Sequence, residues 1–193
     1  MKFSDSLACA TVPSALGPIV LAATDVALVG LWFDGQRHQP DGSRWHPAQE
    51  HPVLVLASNQ LGDYLAGRRS QFALPLSLAG GSAFEQAVWR ALQDIPRGGS
   101  CSYSAIAAAI GRPRAARAVG AAVGRNPLSI IVPCHRVLGT GGALTGYAGG
   151  LARKVALLQL EGAAFAPQPQ PQPQPQPHLG QPTQPPSPSE SLT

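Results

Sequence analysis

The sequence is poor in charged, aromatic and cysteine residues for a chain of 193 residues. Charged residues make up 12% of the chain, about half the usual share of roughly a quarter. Yet no stretch approaches the roughly 20 consecutive apolar residues of a membrane-spanning helix. The composition therefore excludes a helical membrane protein and predicts no membrane partner. The length suits one large domain or two small ones.

Cysteine is scarce, and its spacing is informative. Cys9, Cys101 and Cys134 form an odd set without any Cys-x-x-Cys pair. This pattern excludes a disulfide framework and a cysteine-rich zinc site. The first residues also lack the apolar core of a signal peptide, so we expect a reducing, cytoplasmic location.

The formal charge of +4 is unevenly distributed. Residues 86–160 contain nine basic residues and one acid, a net charge of +8, whereas residues 1–85 contain five basic and seven acidic residues, a net charge of −2. A basic half next to a slightly acidic half indicates that the second half meets a polyanion such as nucleic acid. A solvated basic face is the plainer alternative.

The first 80 residues have the pattern of a small α/β domain. Two short apolar runs, 19–23 and 27–33, predict a β-hairpin. Apolar residues at helical spacing over 52–66 predict an amphipathic helix that ends at Gly67, and residues 72–78 predict a possible edge strand.

Residues 81–166 predict a second, mostly helical domain. Ser82 and Glu85 have the spacing of a capping box that opens a helix. Two short helices follow, around 103–110 and 114–123, joined by a turn that contains Gly111. Their proportions fit a DNA-binding helix-turn-helix, and an ordinary αα-hairpin fits as well. An apolar strand over 128–132 and a last helix over 153–161 complete the domain.

The remaining residues, 167–193, begin with a strict Pro-Gln alternation and contain ten of the 20 prolines. Such a composition predicts an extended, disordered tail. Its partner is unknown. A domain that binds polyproline helices would fit it, although a solvated extension is the simpler interpretation.

The sequence Pro133-Cys134-His135-Arg136 places a nucleophile beside a base. A free thiol has a pKa near ~8.5 and needs activation at neutral pH. His135 can take the thiol proton, directly or through a water, and the Arg136 cation would favour the thiolate. Glu161, the only acid between Cys134 and residue 166, could hold the second imidazole nitrogen. A buried cysteine with no chemical role remains the alternative.

The Pro-Cys-His-Arg-Val motif is accompanied by ARAVG (116–120), Asn126-Pro127, GYAGGL (146–151) and LLQLEG (157–162). Together these resemble the methylated-DNA protein-cysteine methyltransferases, also called O6-alkylguanine-DNA alkyltransferases. The resemblance runs from about residue 84 to 162, and the 17–36 hairpin is similar to the family's N-terminal domain. It implies a ribonuclease-H-like α/β domain followed by a winged helix-turn-helix domain. It also implies irreversible transfer of the O6-alkyl group of a flipped guanine to the protein's own cysteine.

The resemblance also implies roles for individual residues. Cys134 would be the acceptor, His135 the base acting through a water, and Glu161 the group that orients it. Asn126 would tie together the turn before Cys134, or serve as a plain helix cap. Tyr103 would contact the flipped nucleotide and donate to the guanine ring. Arg117 would fill the vacated base stack, or contact a phosphate. The other implied positions are phosphate contacts at Ser104, Arg112 and Thr140, and alkyl-pocket walls at Tyr147, Val137, Ala148 and Ser129.

Three features depart from relatives. Ala148 stands where some members have a hydroxyl residue, which removes a side-chain contact to the leaving oxygen but keeps the backbone N–H. Ser129 stands where some have proline, which bears on which bulky alkyl groups fit. Cys9 alone precedes Cys101, so the zinc ligands of some members are missing and we expect no metal. No cofactor is expected. The resemblance implies that the partner is double-stranded DNA carrying O6-alkylguanine, with O4-alkylthymine left open, and it favours a monomer.

Two other functions would fit parts of the same pattern. Alkyltransferase-like proteins bind damaged DNA but lack the acceptor cysteine, which is present here as Cys134. A hydrolase using Cys134, His135 and Glu161 would turn over and would leave the arginine-rich helices unexplained. Retention of a labelled alkyl group on the protein distinguishes alkyl transfer from both.

Overall fold

The structure is a computed structural model that describes residues 3–4 and 6–166; the predicted disordered tail, 167–193, lies outside the described residues. An N-terminal α/β domain and a mostly helical C-terminal domain share one continuous apolar core. The elements of these residues, in chain order, are β1 (Ala8–Val12), β2 (Ile19–Ala23), β3 (Leu28–Phe33), β4 (His46–Pro47), α1 (Pro52–Leu65), α2 (Ala83–Gln93), β5 (Cys101–Ser102), α3 (Tyr103–Ala109), α4 (Ala116–Gly124), β6 (Val137–Leu138) and α5 (Leu151–Leu160).

The N-terminal domain is a four-stranded sheet in the order β3-β2-β1-β4. The predicted hairpin is confirmed, because β2 and β3 pair antiparallel with Ile19 opposite Phe33. The strand β1, which the sequence patterns did not predict, pairs antiparallel with β2, and the two-residue β4 pairs parallel with β1. Buried side chains from β2 and β3 form the centre of this domain's core.

The predicted helix over 52–66 is confirmed as α1. It begins with Pro52 in the first turn, where the missing N–H is no loss, and Gly67 follows it with a φ of 74°. Its buried side chains, which include Leu54, Leu61 and Tyr64, form one stripe that packs against the sheet. This orientation turns Tyr64 toward the C-terminal domain.

Two predicted strands are wrong. Over 72–78 only Leu76 forms a bridge, to Leu28, because Pro75 has no N–H to donate to a longer ladder. Over 128–132 only Leu128 forms a bridge, to Leu31, and the chain then turns sharply at Ile130. Both segments run beside β3 without continuing its sheet.

The C-terminal domain contains the predicted helices. The capping box is confirmed: Ser82 Oγ accepts from the Glu85 N–H at 3.3 Å, and the Glu85 carboxylate accepts from the Ser82 N–H at 2.9 Å. The two short helices α3 and α4 follow, joined by a turn with Gly111 at a φ of 70°. β5 pairs parallel with β6, which directly follows the short turn Cys134–Arg136, called the cysteine turn below. The last helix, α5, starts two residues before the predicted position.

Strand β3 joins the two domains beside the cysteine turn. The Leu31 N–H donates to Pro127 O at 2.8 Å, and the Ser129 N–H donates back to Leu31 O at 2.9 Å. The Ser129 hydroxyl also donates to the Gln36 side chain at 3.1 Å. The N-terminal domain thus fixes the segment that leads to Cys134. In the described part of the chain, no helix is both long and apolar enough to cross a membrane.

Candidate active site

Cys134 begins a turn of 3₁₀-helix, Cys134–Arg136, directly after Pro133. The backbone before it is tightly turned: the Ile131 N–H donates to Ser129 O, and the Cys134 N–H donates to Val132 O, each across two residues. Ile130, between Ser129 and Ile131, has a φ of 72°, a rare conformation for a β-branched residue that costs about 1–3 kcal/mol. The turn places the Cys134 side chain inside the protein, with 3% of the residue exposed.

Asn126 lies where the sequence placed it, at the centre of this turn. Its side-chain amide donates to Val132 O at 2.8 Å and to Cys134 Sγ at 3.0 Å. Its side-chain oxygen accepts from the Leu128 N–H at 3.0 Å. The buried Asn126 side chain therefore links Leu128 to Val132, the two ends of the segment before Cys134. It also donates a hydrogen bond to the sulfur, which favours the thiolate.

His135 and Glu161 form a buried pair. His135 Nε2 lies 2.6 Å from Glu161 Oε1, and both side chains are fully buried. Arg136 Nε donates to the other carboxylate oxygen at 2.8 Å. Tyr64, from the N-terminal domain, donates its hydroxyl to Glu161 Oε1. His135 Nδ1 is buried and has no hydrogen-bond partner in the described residues.

Burial and hydrogen bonding shift the pKa values of Glu161, His135 and Cys134. Burial by itself would raise the pKa of Glu161, but hydrogen bonds from His135 and Arg136 lower it to about 2. Burial lowers the pKa of His135 despite the Glu161 carboxylate, and it raises the pKa of the Cys134 thiol. The resting state is therefore a neutral thiol beside a neutral imidazole and an ionised carboxylate.

Lys154 is a cation whose charge lowers the pKa of Cys134, whereas the same role for Arg136 stays a prediction. Arg136 donates to the Glu161 carboxylate and to Ile95 O, so its charge is paired with that carboxylate. Lys154, on α5, is fully buried and donates to Val137 O at 2.6 Å and Thr145 O at 3.1 Å. Its charge lowers the pKa of Cys134, while burial lowers its own pKa to about 8.

A cavity of about 220 Å³ brings together three of the predicted pocket and catalytic residues. Its walls are Arg37, Tyr103, Gly120, Val123, Gly124, Gly146, Tyr147 and Ala148. The Tyr103 hydroxyl is 2.9 Å from Thr145 Oγ1. The Tyr147 hydroxyl is buried, and burial followed by the nearby Cys134 raises its pKa well above the usual value. Tyr147 is therefore the wall residue of this cavity that also lies near Cys134.

The other two predicted pocket residues do not line this cavity. Val137 is fully buried behind Cys134, and its carbonyl accepts from Lys154. Ser129 is buried, and its hydroxyl donates to Gln36 of the N-terminal domain.

The predicted phosphate contacts are exposed on the C-terminal domain. Ser104 is in the first turn of α3, Arg112 is in the turn between α3 and α4, and Arg117 is in the first turn of α4. Thr140 begins a short 3₁₀ turn after β6. The side chains of Arg112 and Arg117 have no ion pair within the described residues, which leaves them available to an anion.

Sequence patterns missed three residues of the site. Tyr64 and Arg37 belong to the N-terminal domain, and no local motif connects either to Cys134. Lys154 had one signal: it is the only lysine in the basic segment 86–160. No group of three or more His, Cys, Asp or Glu side chains within residues 3–4 and 6–166 is arranged to hold a metal ion. The expected absence of a metal stays a prediction.

Comparison with protein families gives two matches that together span most of the chain. Residues 7–78 match the ribonuclease-like domain of 6-O-methylguanine DNA methyltransferase. Residues 83–163 match the DNA-binding domain of the same family. The division agrees with the two domains of the structure.

Individual relatives agree with these matches. The methylated-DNA–protein-cysteine methyltransferase of Mycobacterium leprae is 46% identical over 79% of this chain and 91% of its own, and the constitutive enzyme of Bacillus subtilis is 44% identical over 78% and 93%. The Mycobacterium tuberculosis OGT crystal structure in complex with DNA is 44% identical, with a TM-score of 0.73, over 81% of this chain and 92% of that one. The chain therefore belongs to the 6-O-methylguanine DNA methyltransferase family.

Proposed function

We propose that this protein repairs DNA by moving the O6-alkyl group of a damaged guanine to the sulfur of its own Cys134. The observation that carries the proposal is a buried cysteine that accepts a hydrogen bond from Asn126 and lies beside the His135–Glu161 pair. The names of the relatives support the same reaction.

The chemistry follows from the residues present. His135 takes the thiol proton, through a water that its buried Nδ1 can bind, and Glu161 stabilises the imidazolium that results. The thiolate then attacks the alkyl carbon: the S–C bond forms as the C–O6 bond breaks, and the electron pair leaves with guanine. Tyr103 donates a hydrogen bond to the departing ring, which takes up one proton. Because the acceptor is the protein itself, each molecule reacts once.

We propose further that α3 and α4 form the helix-turn-helix of a winged domain that binds duplex DNA. The target base must leave the stack, since its alkyl group is otherwise covered. Arg117 fills the gap, Ser104, Arg112 and Thr140 contact phosphates, and the flipped base enters the cavity between Tyr103 and Tyr147. The exposure of these four residues on one domain supports this arrangement.

The remaining proposals concern organisation. The N-terminal domain spans 1–80 and the reactive domain 81–166, and the protein acts as a monomer in the cytoplasm. Neither metal nor cofactor takes part in the transfer, since the thiol accepts the alkyl group directly. The role of residues 167–193 and any partner they bind are separate from repair.

The experiment is a single-turnover assay on duplex DNA with a labelled methyl group at O6 of one guanine. The label is expected on Cys134 at no more than one equivalent per protein. Cys134→Ala should bind the same duplex and acquire no label. Label that stays on DNA while the protein binds would indicate an alkyltransferase-like binding protein. More than one repaired base per protein would contradict stoichiometric transfer.

A further inference from the structure

We propose that Tyr64, in the N-terminal domain, is a positioning residue for alkyl transfer: its hydroxyl holds the Glu161 carboxylate that orients His135. The inference rests on the proposed function and extends it, because it gives the N-terminal domain a direct part in the reactivity of Cys134. The carrying observation is a buried hydrogen bond between residues 97 positions apart in the sequence.

The position of Tyr64 is tightly determined by its surroundings. Only 1% of the residue is exposed. Its ring packs on Phe72, with 4.8 Å between ring centroids, and the Arg97 guanidinium lies 5.5 Å from its ring centroid. The hydroxyl therefore has little freedom to leave Glu161. It donates to Oε1, the same oxygen that His135 Nε2 meets at 2.6 Å.

The other donors to the carboxylate come from the cysteine turn. Arg136 contacts both oxygens, with Nε at 2.8 Å from Oε2 and Nη2 at 3.2 Å from Oε1. Arg136 and His135 are neighbours in one turn and would move together with it. Tyr64 is the donor that ties Glu161 to a separate element, α1. It thus fixes the orientation of the carboxylate from outside the turn.

Tyr64 also adjusts the proton affinity of His135. A hydrogen bond to an ionised carboxylate makes that carboxylate a weaker acceptor for the imidazole proton. The charged and titratable groups around the pair are Tyr64 on α1, Arg136 and Cys134 in the turn, and Lys154 on α5. Arg136 Nη2 also donates to the tyrosine oxygen at 3.4 Å, but Arg136 keeps its bonds to both Glu161 oxygens when that oxygen is removed. Its loss should therefore raise the pKa of His135.

Tyr64→Phe keeps the ring and removes the oxygen. Transfer from saturating labelled duplex should slow about tenfold on the pH plateau, the value of one hydrogen bond to a charged group. The acid limb of the rate–pH profile should move to higher pH, because His135 must be neutral to accept the thiol proton. The opposite substitution, a ring-fluorinated tyrosine at position 64, is a stronger donor and should move the acid limb to lower pH.

Gln60→Met is the matched control. Gln60 lies one turn earlier on α1, is buried, and bonds the backbone of Ala73 instead of Glu161. The Gln60→Met variant should be less stable, but the acid limb of its rate–pH profile should not shift. An unshifted acid limb in both Tyr64 variants, whatever the plateau rate, overturns the proposal. Failure of the unsubstituted protein to take label onto Cys134 would instead overturn the proposed function.

Discussion

The side-chain amide of Asn126 lies 3.0 Å from the sulfur of Cys134 and donates to it. The same nitrogen donates to Val132 O, so one group supports both the reactive atom and the backbone that leads to it. Because Asn126 is buried, each of its partners would lack water if the amide were removed. Structure and reactivity therefore depend on one residue here.

Asn126→Leu should reduce both the stability of the fold and the rate of alkyl transfer. The variant leaves the buried Leu128 N–H without its acceptor, at about 1–3 kcal/mol, and removes one of the two hydrogen bonds that Val132 O accepts. Denaturant unfolding should show that loss, and single-turnover repair should fall even under conditions where the variant remains folded. Repair by folded variant at the unsubstituted rate would show that the Asn126–Cys134 hydrogen bond has no part in reactivity.

Lys154→Met should change the pH dependence of repair. Lys154, with a pKa of about 8, is mostly charged at neutral pH, and its charge opposes the burial that raises the pKa of Cys134. Without it the thiol pKa rises further, so transfer should slow at neutral pH and recover as pH increases. Rate–pH profiles of the folded variant test this. If the rate–pH profiles of the variant and the unsubstituted protein have the same shape, Lys154 does not activate the thiol.

Glu161 should make folding sensitive to acid. Its pKa of about 2 in the folded protein lies below the usual 4.5, so its contribution to stability is complete above pH 4.5 and is lost as pH falls toward 2. The difference corresponds to about 3 kcal/mol. Glu161→Gln should be less stable at neutral pH, because Arg136 loses its partner, and should lack this part of the acid dependence. Denaturant unfolding at several pH values gives both quantities. Equal acid dependence in both proteins would contradict the assignment.

The sequence predicted correctly those helices and strands that are determined by residues close together in the chain. Alternating apolar runs indicated the β2–β3 hairpin, and the Ser82–Glu85 capping box marked the start of α2 correctly. Segments 72–78 and 128–132 were predicted as strands because they are apolar. Each instead meets β3 through a single bridge, since Pro75 and the turn at Ile130 stop further pairing. Those outcomes depend on tertiary contacts that apolar patterns do not encode.

The same distinction applies to the site. Cys134, His135 and Asn126 lie within nine positions of each other, and motif resemblance identified them together with Glu161. Tyr64 reaches Glu161 from 97 positions away. Arg37 reaches the cavity because its N–H donates to Ala148 O at 3.1 Å. No sequence periodicity connects such positions, so the contribution of the N-terminal domain to the site became evident only in the folded chain.

Gly149→Ala should damage the pocket wall. A Cβ at this position would lie 2.7 Å from Phe33 Cδ2 and 2.8 Å from Tyr147 Cε1, closer than such atoms approach. The Tyr147 ring must move, and alkyl transfer should slow. Gly62→Ala, on α1 and outside the walls of this cavity, is the control, because its Cβ would also meet nothing within 4 Å. Single-turnover rates for the two variants should differ; equal rates would show that the loop absorbs the clash.

Arg117→Ala distinguishes stack filling from phosphate contact. If Arg117 fills the vacated stack, repair of saturating duplex should slow, because extrusion costs a few kcal/mol of unstacking and unpairing. Reaction with a free O6-alkylguanine base that the protein accepts should hardly change. A phosphate contact would instead weaken binding to all DNA and reduce its salt dependence by about one counterion.

Arg68→Ala is the control for Arg117: Arg68 is an exposed arginine of the N-terminal domain, paired with Asp63. It should change neither duplex repair nor free-base reaction. Normal single-turnover repair of saturating duplex by Arg117→Ala would reject stack filling. A defect in base flipping slows repair of duplex DNA only, because the free base does not have to be flipped. An equal loss of rate on duplex and free base would therefore show that Arg117 supports the structure of the Cys134 site.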